Sequence, residues 1–155
     1  MDKHISSQFD AELTGVSSRV LELGGLVESQ TRHAVYALAQ FSSEVADQVV
    51  ATERQVNALE VEIDAELASI IARRQPTARD LRLLMAISKI TGNLERAGDE
   101  AERIARMVKQ ILKQGSPHNL PSSELRVAAD LAPAAVSAAI QELLWAELSA
   151  PISHG

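Results

Sequence analysis

Glu95, Asp99 and Glu102 recur at spacings of four and three in the stretch Leu94-Glu95-Arg96-Ala97-Gly98-Asp99-Glu100-Ala101-Glu102. On a helix that spacing sets their carboxylates along one stripe. Glu60 and Asp64 repeat the four-residue spacing in Leu59-Glu60-Val61-Glu62-Ile63-Asp64. If both segments are helices and pack together, Glu60, Asp64, Glu95 and Asp99 share one surface region, and like charges held that close repel unless a cation lies between them. The chemistry open to such a set is ligation of a hard divalent or trivalent ion through oxygen: magnesium, manganese, iron or zinc. A plainer reading is a solvated helix face, balanced by Arg96, Arg103 and Arg106. Acidic residues are common on exposed faces, so spacing alone favours the plainer reading. Against it, Glu95 and Asp99 directly follow Leu94 and Gly98, which fall on the apolar seam, so the acids flank the core.

Other chemistries find little support. The chain has no cysteine, which excludes disulfides and thiolate metal sites. None of His4, His33, His118 or His154 lies three residues after a glutamate, so the Glu-x-x-His ligand pairs of a di-iron bundle are missing. Ser-His-Asp sets, a phosphate-binding glycine loop and GxGxxG are absent, which argues against an enzyme. A net charge of -6 argues against nucleic acid as a partner. Arg73, Arg74, Arg79 and Arg82 nonetheless form a local basic cluster, read either as helix-end solvation or as a docking patch for an acidic partner or an anion. Trp145 reads as a core or interface side chain.

The elements that must position these residues are helical. Hydrophobic residues make up 46% of the chain and aromatic ones only 3%, an aliphatic, alanine-rich composition suited to helix packing. Apolar positions at Phe9, Leu13, Val16, Val20, Leu23 and Val27, continuing through Gln30, Ala34, Leu38 and Phe41, predict a first helix over Ser7 to Phe41. Gly24 and Gly25 inside it suggest close helix approach, or else a bend. Ser42-Ser43 offers an N-cap, and Val45, Val49, Val56, Leu59, Ile63, Leu67 and Ile70 carry a second helix to Arg73-Arg74, before Gln75-Pro76. Thr77-Ala78-Arg79-Asp80 has the form of a capping box opening a third, with its seam at Leu84, Ile87, Thr91, Leu94, Gly98, Ala101, Ala105, Val108 and Leu112. Short links between long helices predict an all-α, antiparallel three-helix bundle over 1–115. Residues 116–123 read as a linker, and a weaker helical pattern interrupted by Pro133 follows in 124–155, a partial fourth helix with a divergent tail. The N-terminus lacks a secretory pattern and no run of apolar residues is long enough to span a bilayer, so the expectation is a cytoplasmic protein without membrane insertion.

The segment Arg73-Arg74-Gln75-Pro76-Thr77-Ala78-Arg79-Asp80-Leu81-Arg82, followed by Leu94-Glu95-Arg96-Ala97-Gly98-Asp99, closely resembles the PhoU family of phosphate-uptake regulators. The stretches His4 to Leu13 and Gly24-Gly25-Leu26-Val27-Glu28 are similar to its proteobacterial members, and the resemblance fades after about Leu131. The resemblance implies a cytoplasmic helical regulator, not an enzyme. It implies work with the ATPase-driven phosphate transporter and its sensor histidine kinase to repress phosphate-starvation signalling, as a homo-oligomer. It also implies metal binding through paired acids, carried over by position to Glu95 and Asp99, then Glu60 and Asp64, with Asp80 a looser match. Family members have a second bundle that repeats the motif; residues 124–155 would supply only its start, as in a truncated or frameshifted gene or a short paralogue.

Overall fold

The structure, a computed structural model, describes residues 2–114 and the side chains of 7–114. The expected linker at 116–123, the fourth helical pattern with Pro133 and Trp145, and the side chains of His4, His118 and His154 lie outside the described residues. Within them the chain forms α1 (Asp2–Gln40), α2 (Ser43–Arg74) and α3 (Ala78–Lys113), each packed on both others in an antiparallel three-helix bundle.

Two tight links make the helices reverse. After Gln40, Phe41 takes a left-handed backbone with φ 49°, and the Ser42 N–H donates to Ala37 O at 3.0 Å, closing a Schellman turn. Ser42 then caps α2, its hydroxyl accepting from the Val45 N–H at 3.2 Å. At the far end Gln75 is also left-handed, with φ 44°, and its N–H donates to Ile71 O at 3.3 Å. Pro76 follows at the position whose N–H would complete a Schellman turn, so this link ends on the single bond. The capping box expected at Thr77 does not form: the Thr77 hydroxyl lies 3.2 Å from Asp80 Oδ2 and makes no bond to the helix N–H groups.

The seams pack as their spacing predicts, but the core they make is divided. Val16, Val20, Leu23 and Val27 meet Val56, Leu59, Ile63, Leu67 and Ile70 of α2 and Leu84, Ile87, Ile90 and Leu94 of α3 in one large aliphatic cluster. Ala34, Ala37, Ala46, Val49, Ala101, Ala105 and Val108 make a second, smaller cluster near the other end. Between them the inward positions are polar or empty: Gln30 on α1, Glu53 on α2 and Gly98 on α3, with Gln30 0% and Glu53 3% exposed. α1 begins at Asp2, ahead of the expected Ser7, and Phe41 lies beyond its end. Gly25 is exposed and a Cβ there would meet nothing within 4 Å, so close approach does not explain it.

Gly98 is different. A Cβ on it would sit 3.0 Å from Gln30 Oε1 and 3.3 Å from both Glu53 Oε2 and Val56 Cγ1. Gln30 is held by its hydrogen bonds and Val56 is fully buried, so neither neighbour yields cheaply. Gly98→Ala should lower stability by about 1–2 kcal/mol, overpacking exceeding the roughly 1 kcal/mol gained in helix propensity. Gly25→Ala should raise it by about 0.5–1 kcal/mol. Urea denaturation of the two variants checks this, and the reverse ranking would refute a filled space at Gly98.

Candidate metal centre

Glu53 occupies a heptad core position, between Val49 and Val56 on the buried face of α2. An acid in such a position needs a hydrogen-bond donor, and α1 provides one: Gln30 Nε2 donates to Glu53 Oε2 at 2.5 Å and to Val49 O at 3.3 Å. The bare backbone at Gly98 makes room for the pair. The next residue along α3, Asp99, is exposed in the α2–α3 groove, and Glu102 follows one turn on, half-buried. A carboxylate oxygen from each of Glu53, Asp99 and Glu102 lies within 4.8 Å of the others.

The electrostatics show acids crowded together and only partly relieved. Glu53 is pushed up to about 7, chiefly by burial, with Asp99 and Glu102 adding to the rise and the Gln30 hydrogen bond opposing it. Glu95 is also pushed up to about 7, first by its hydrogen bond with Asp99, then by burial and by the charges of Glu60 and Asp99, against Arg96. Burial, then Asp64 and Asp99, raise Glu60. The acids therefore form one ladder across the groove, with Glu53 at its buried foot. Glu102 accepts from Arg106 Nε at 2.7 Å, but no ion pair among the described residues reaches Glu53, Glu60, Asp64, Glu95 or Asp99.

The arrangement fits a cation. Glu53 Oε1 is buried and has no hydrogen-bond partner, an omission that typically costs about 1–3 kcal/mol. Three carboxylate oxygens within 4.8 Å of one another need only small side-chain shifts to share one ion bound at roughly 2.0–2.4 Å. The donors are all hard oxygens, which suit magnesium, manganese or iron(III) better than zinc. Exposed Asp99 leaves a path from solvent.

Of the residues singled out in the sequence, the fold brings Glu95, Asp99 and Glu60 together, with Asp64 beside Glu60 on the exposed side. Asp80 is apart, at the start of α3 beside Thr77 and about 22 Å along the helix from Glu95. The four arginines divide: Arg74 is committed to Glu12 at 2.7 Å, Arg73 reaches the same carboxylate at 3.3 Å, and Arg79 and Arg82 are exposed. The Arg74 hydrogen bond is the largest of the influences that hold the Glu12 carboxyl below its usual range. Glu53 escaped the sequence reading because the seam was followed from Val49 to Val56 by its aliphatic members. The signal was the acid at the position between them, on a helix whose partner carries Gln30 on its own seam.

The family model described as the PhoU domain matches residues 20–108. A phosphate-specific transport system accessory protein PhoU homolog from a Burkholderia species is 44% identical over 151 residues, covering 97% of this chain and 64% of the relative. That match runs past Leu131, where the motif-by-motif resemblance fades. The phosphate-specific transport system accessory protein PhoU of Escherichia coli K12 is 45% identical over 114 residues, 74% of this chain and 47% of its own. The crystal structure of PhoU from Pseudomonas aeruginosa matches with a TM-score of 0.77 at 43% identity, covering 86% of this chain and 63% of that one. The chain thus spans between about half and about two thirds of the length of these relatives.

An acid whose pKa rises on folding binds more protons folded than unfolded between its ordinary value of 4.5 and its folded value of about 7. Stability therefore falls as pH climbs through that window, and the penalty is complete above it. Chelator-treated protein should melt lower at about pH 7.5 than at about pH 5, and Glu53→Gln should flatten the fall and melt higher than wild type at about pH 8. Calorimetry across that range checks both; a flat wild-type profile would remove the crowded-acid description.

Proposed function

The chain belongs to the PhoU family, and on that premise we propose that it regulates phosphate uptake and phosphate-starvation signalling through a bundle that holds a hard cation at Glu53, Asp99 and Glu102. Glu95, Glu60 and Asp64 continue the site along the groove. The observation that carries the cation reading is the buried, unpartnered oxygen of Glu53 in a cluster of three carboxylates of which only Glu102 has a basic partner, Arg106. An exposed acidic stripe alone would not support it, because water stabilises such carboxylates without an ion. When bound, the ion supplies charge neutralisation and fixes α2 against α3. It carries no bond-making step, so the reading is of a regulator and not an enzyme.

Regulation is by docking, in the cytoplasm, to the phosphate transporter's ATPase and to the sensor kinase, as a homo-oligomer. The names of the relatives, accessory proteins of phosphate-specific transport systems, support the transport half of this reading. Arg79 and Arg82, exposed at the α2–α3 turn, with Arg73 beside them, offer an anionic partner surface a basic contact. Arg74 is less available because Glu12 already holds it. Asp80 takes no part in the cation site in this scheme. A helical scaffold with no metal is the competing reading, and the orphaned Glu53 oxygen disfavours it.

Both halves can be tested. Metal-free protein titrated with manganese, magnesium, zinc or iron(III) should melt higher with at least one of them. The rise should reach about 3 kcal/mol when free ion exceeds Kd a hundredfold. Asp99→Asn should abolish most of that rise, and no rise with any ion would leave the scaffold reading standing. In cells, deleting the gene should raise a phosphate-starvation reporter in high phosphate, and the intact chain should restore repression. An unchanged reporter would sink the regulatory assignment.

A further inference from the structure

We propose that Gln30 is a positioning residue for the carboxylate cluster: from α1 it holds one oxygen of Glu53 and thereby presents the other to a cation in the α2–α3 groove. This rests on the cation reading above and adds to it a residue from α1, which contributes no carboxylate to the cluster. Gln30 is fully buried, and both protons of its amide are engaged, one on Glu53 Oε2 at 2.5 Å and one on Val49 O at 3.3 Å. The opposite amide orientation would set an acceptor against a carboxylate, so the hydrogen bonds determine the assignment. With Oε2 occupied, Oε1 is the Glu53 atom left without a partner.

A purely structural role explains the contact poorly. The pair leaves Gln30 Oε1 and Glu53 Oε1 both buried and unpartnered. Apolar side chains of similar size at both positions 30 and 53 would remove both orphans and join the clusters on either side. Gly98 points the same way: a methyl group there would crowd Gln30 Oε1 and Glu53 Oε2, so the space beside α3 is kept for this one arrangement. Outer-shell groups that orient a ligating carboxylate commonly act by such a hydrogen bond, and losing one costs roughly tenfold to a hundredfold in metal affinity.

The test separates affinity from folding. Full-length Gln30→Leu and Gln30→Met, with wild type and Glu53→Gln, are stripped of metal, checked for native helicity, and titrated with manganese by calorimetry and electron paramagnetic resonance. Methionine is the flexible, near-isosteric choice should leucine fail to fold. The metal-free Gln30 variants should stay helical but melt lower than wild type, because Glu53 Oε2 loses its donor. They should bind manganese roughly tenfold to a hundredfold more weakly, with an altered spectrum for the bound ion. Unchanged manganese affinity in folded Gln30 variants, with binding lost in Glu53→Gln, overturns the positioning role and leaves the site intact. A wild type that binds none of manganese, magnesium, zinc and iron(III) overturns both.

Discussion

The Gln30–Glu53 hydrogen bond, lying over the bare backbone of Gly98, constrains everything around it. One residue from each helix meets at the same level, and none can be exchanged with a neighbour one heptad away. Glu53 shifted along α2 would face aliphatic side chains with no donor, and Gly98 shifted along α3 would leave Gln30 against a Cβ it cannot accommodate. Buried polar contacts are known to select one register among several that apolar seams would accept. Here the two hydrophobic clusters stabilise helix association, while the layer between them decides how the helices align.

That alignment is what converts a repeating spacing into a site. Spacing places Glu95, Asp99 and Glu102 on one stripe of α3, but only the register of α2 decides which acids lie opposite. The short links, each opening on a left-handed residue, leave the helices little axial freedom. Ion pairs across the surface add to this at both ends: Arg19 with Glu66, Arg74 with Glu12, and Lys109 with Asp47 at 2.7 Å. Exposed pairs of this kind contribute little to stability, so their effect is on alignment more than on free energy.

The bundle was legible in the sequence because aliphatic residues at steps of three and four report burial directly; nearly every seam position from Val16 to Val108 is buried or half-buried. Features that depend on atoms far away in the chain were not. The Thr77 hydroxyl chose the Asp80 carboxylate over the backbone, a competition that motif spacing does not resolve. Gly25 and Gly98 look alike as helix glycines, yet one faces open space and the other a filled layer. Spacing singled out Asp99, the exposed acid of the candidate cluster, and put Glu102 on the same stripe. The cluster's buried member was missed, since a seam read for apolar residues skips an acid that only a side chain from another helix makes tolerable.

The same layer links the site to the stability of the fold. Glu53 uncharged fits the interior without a cation; Glu53 charged needs one, or needs water that its burial largely excludes. A cation would bind the ionised acids of the folded chain and find no assembled site in the unfolded one, so its binding energy would add to stability. The part of the core that weakens the metal-free bundle near neutral pH is then the part through which an ion would strengthen it. Placed at the outer edge of a helix, such a cluster would respond to an ion locally. Placed between the two halves of the core and tied to α1 through Gln30, it makes the packing of all three helices answer to whether the charge is balanced.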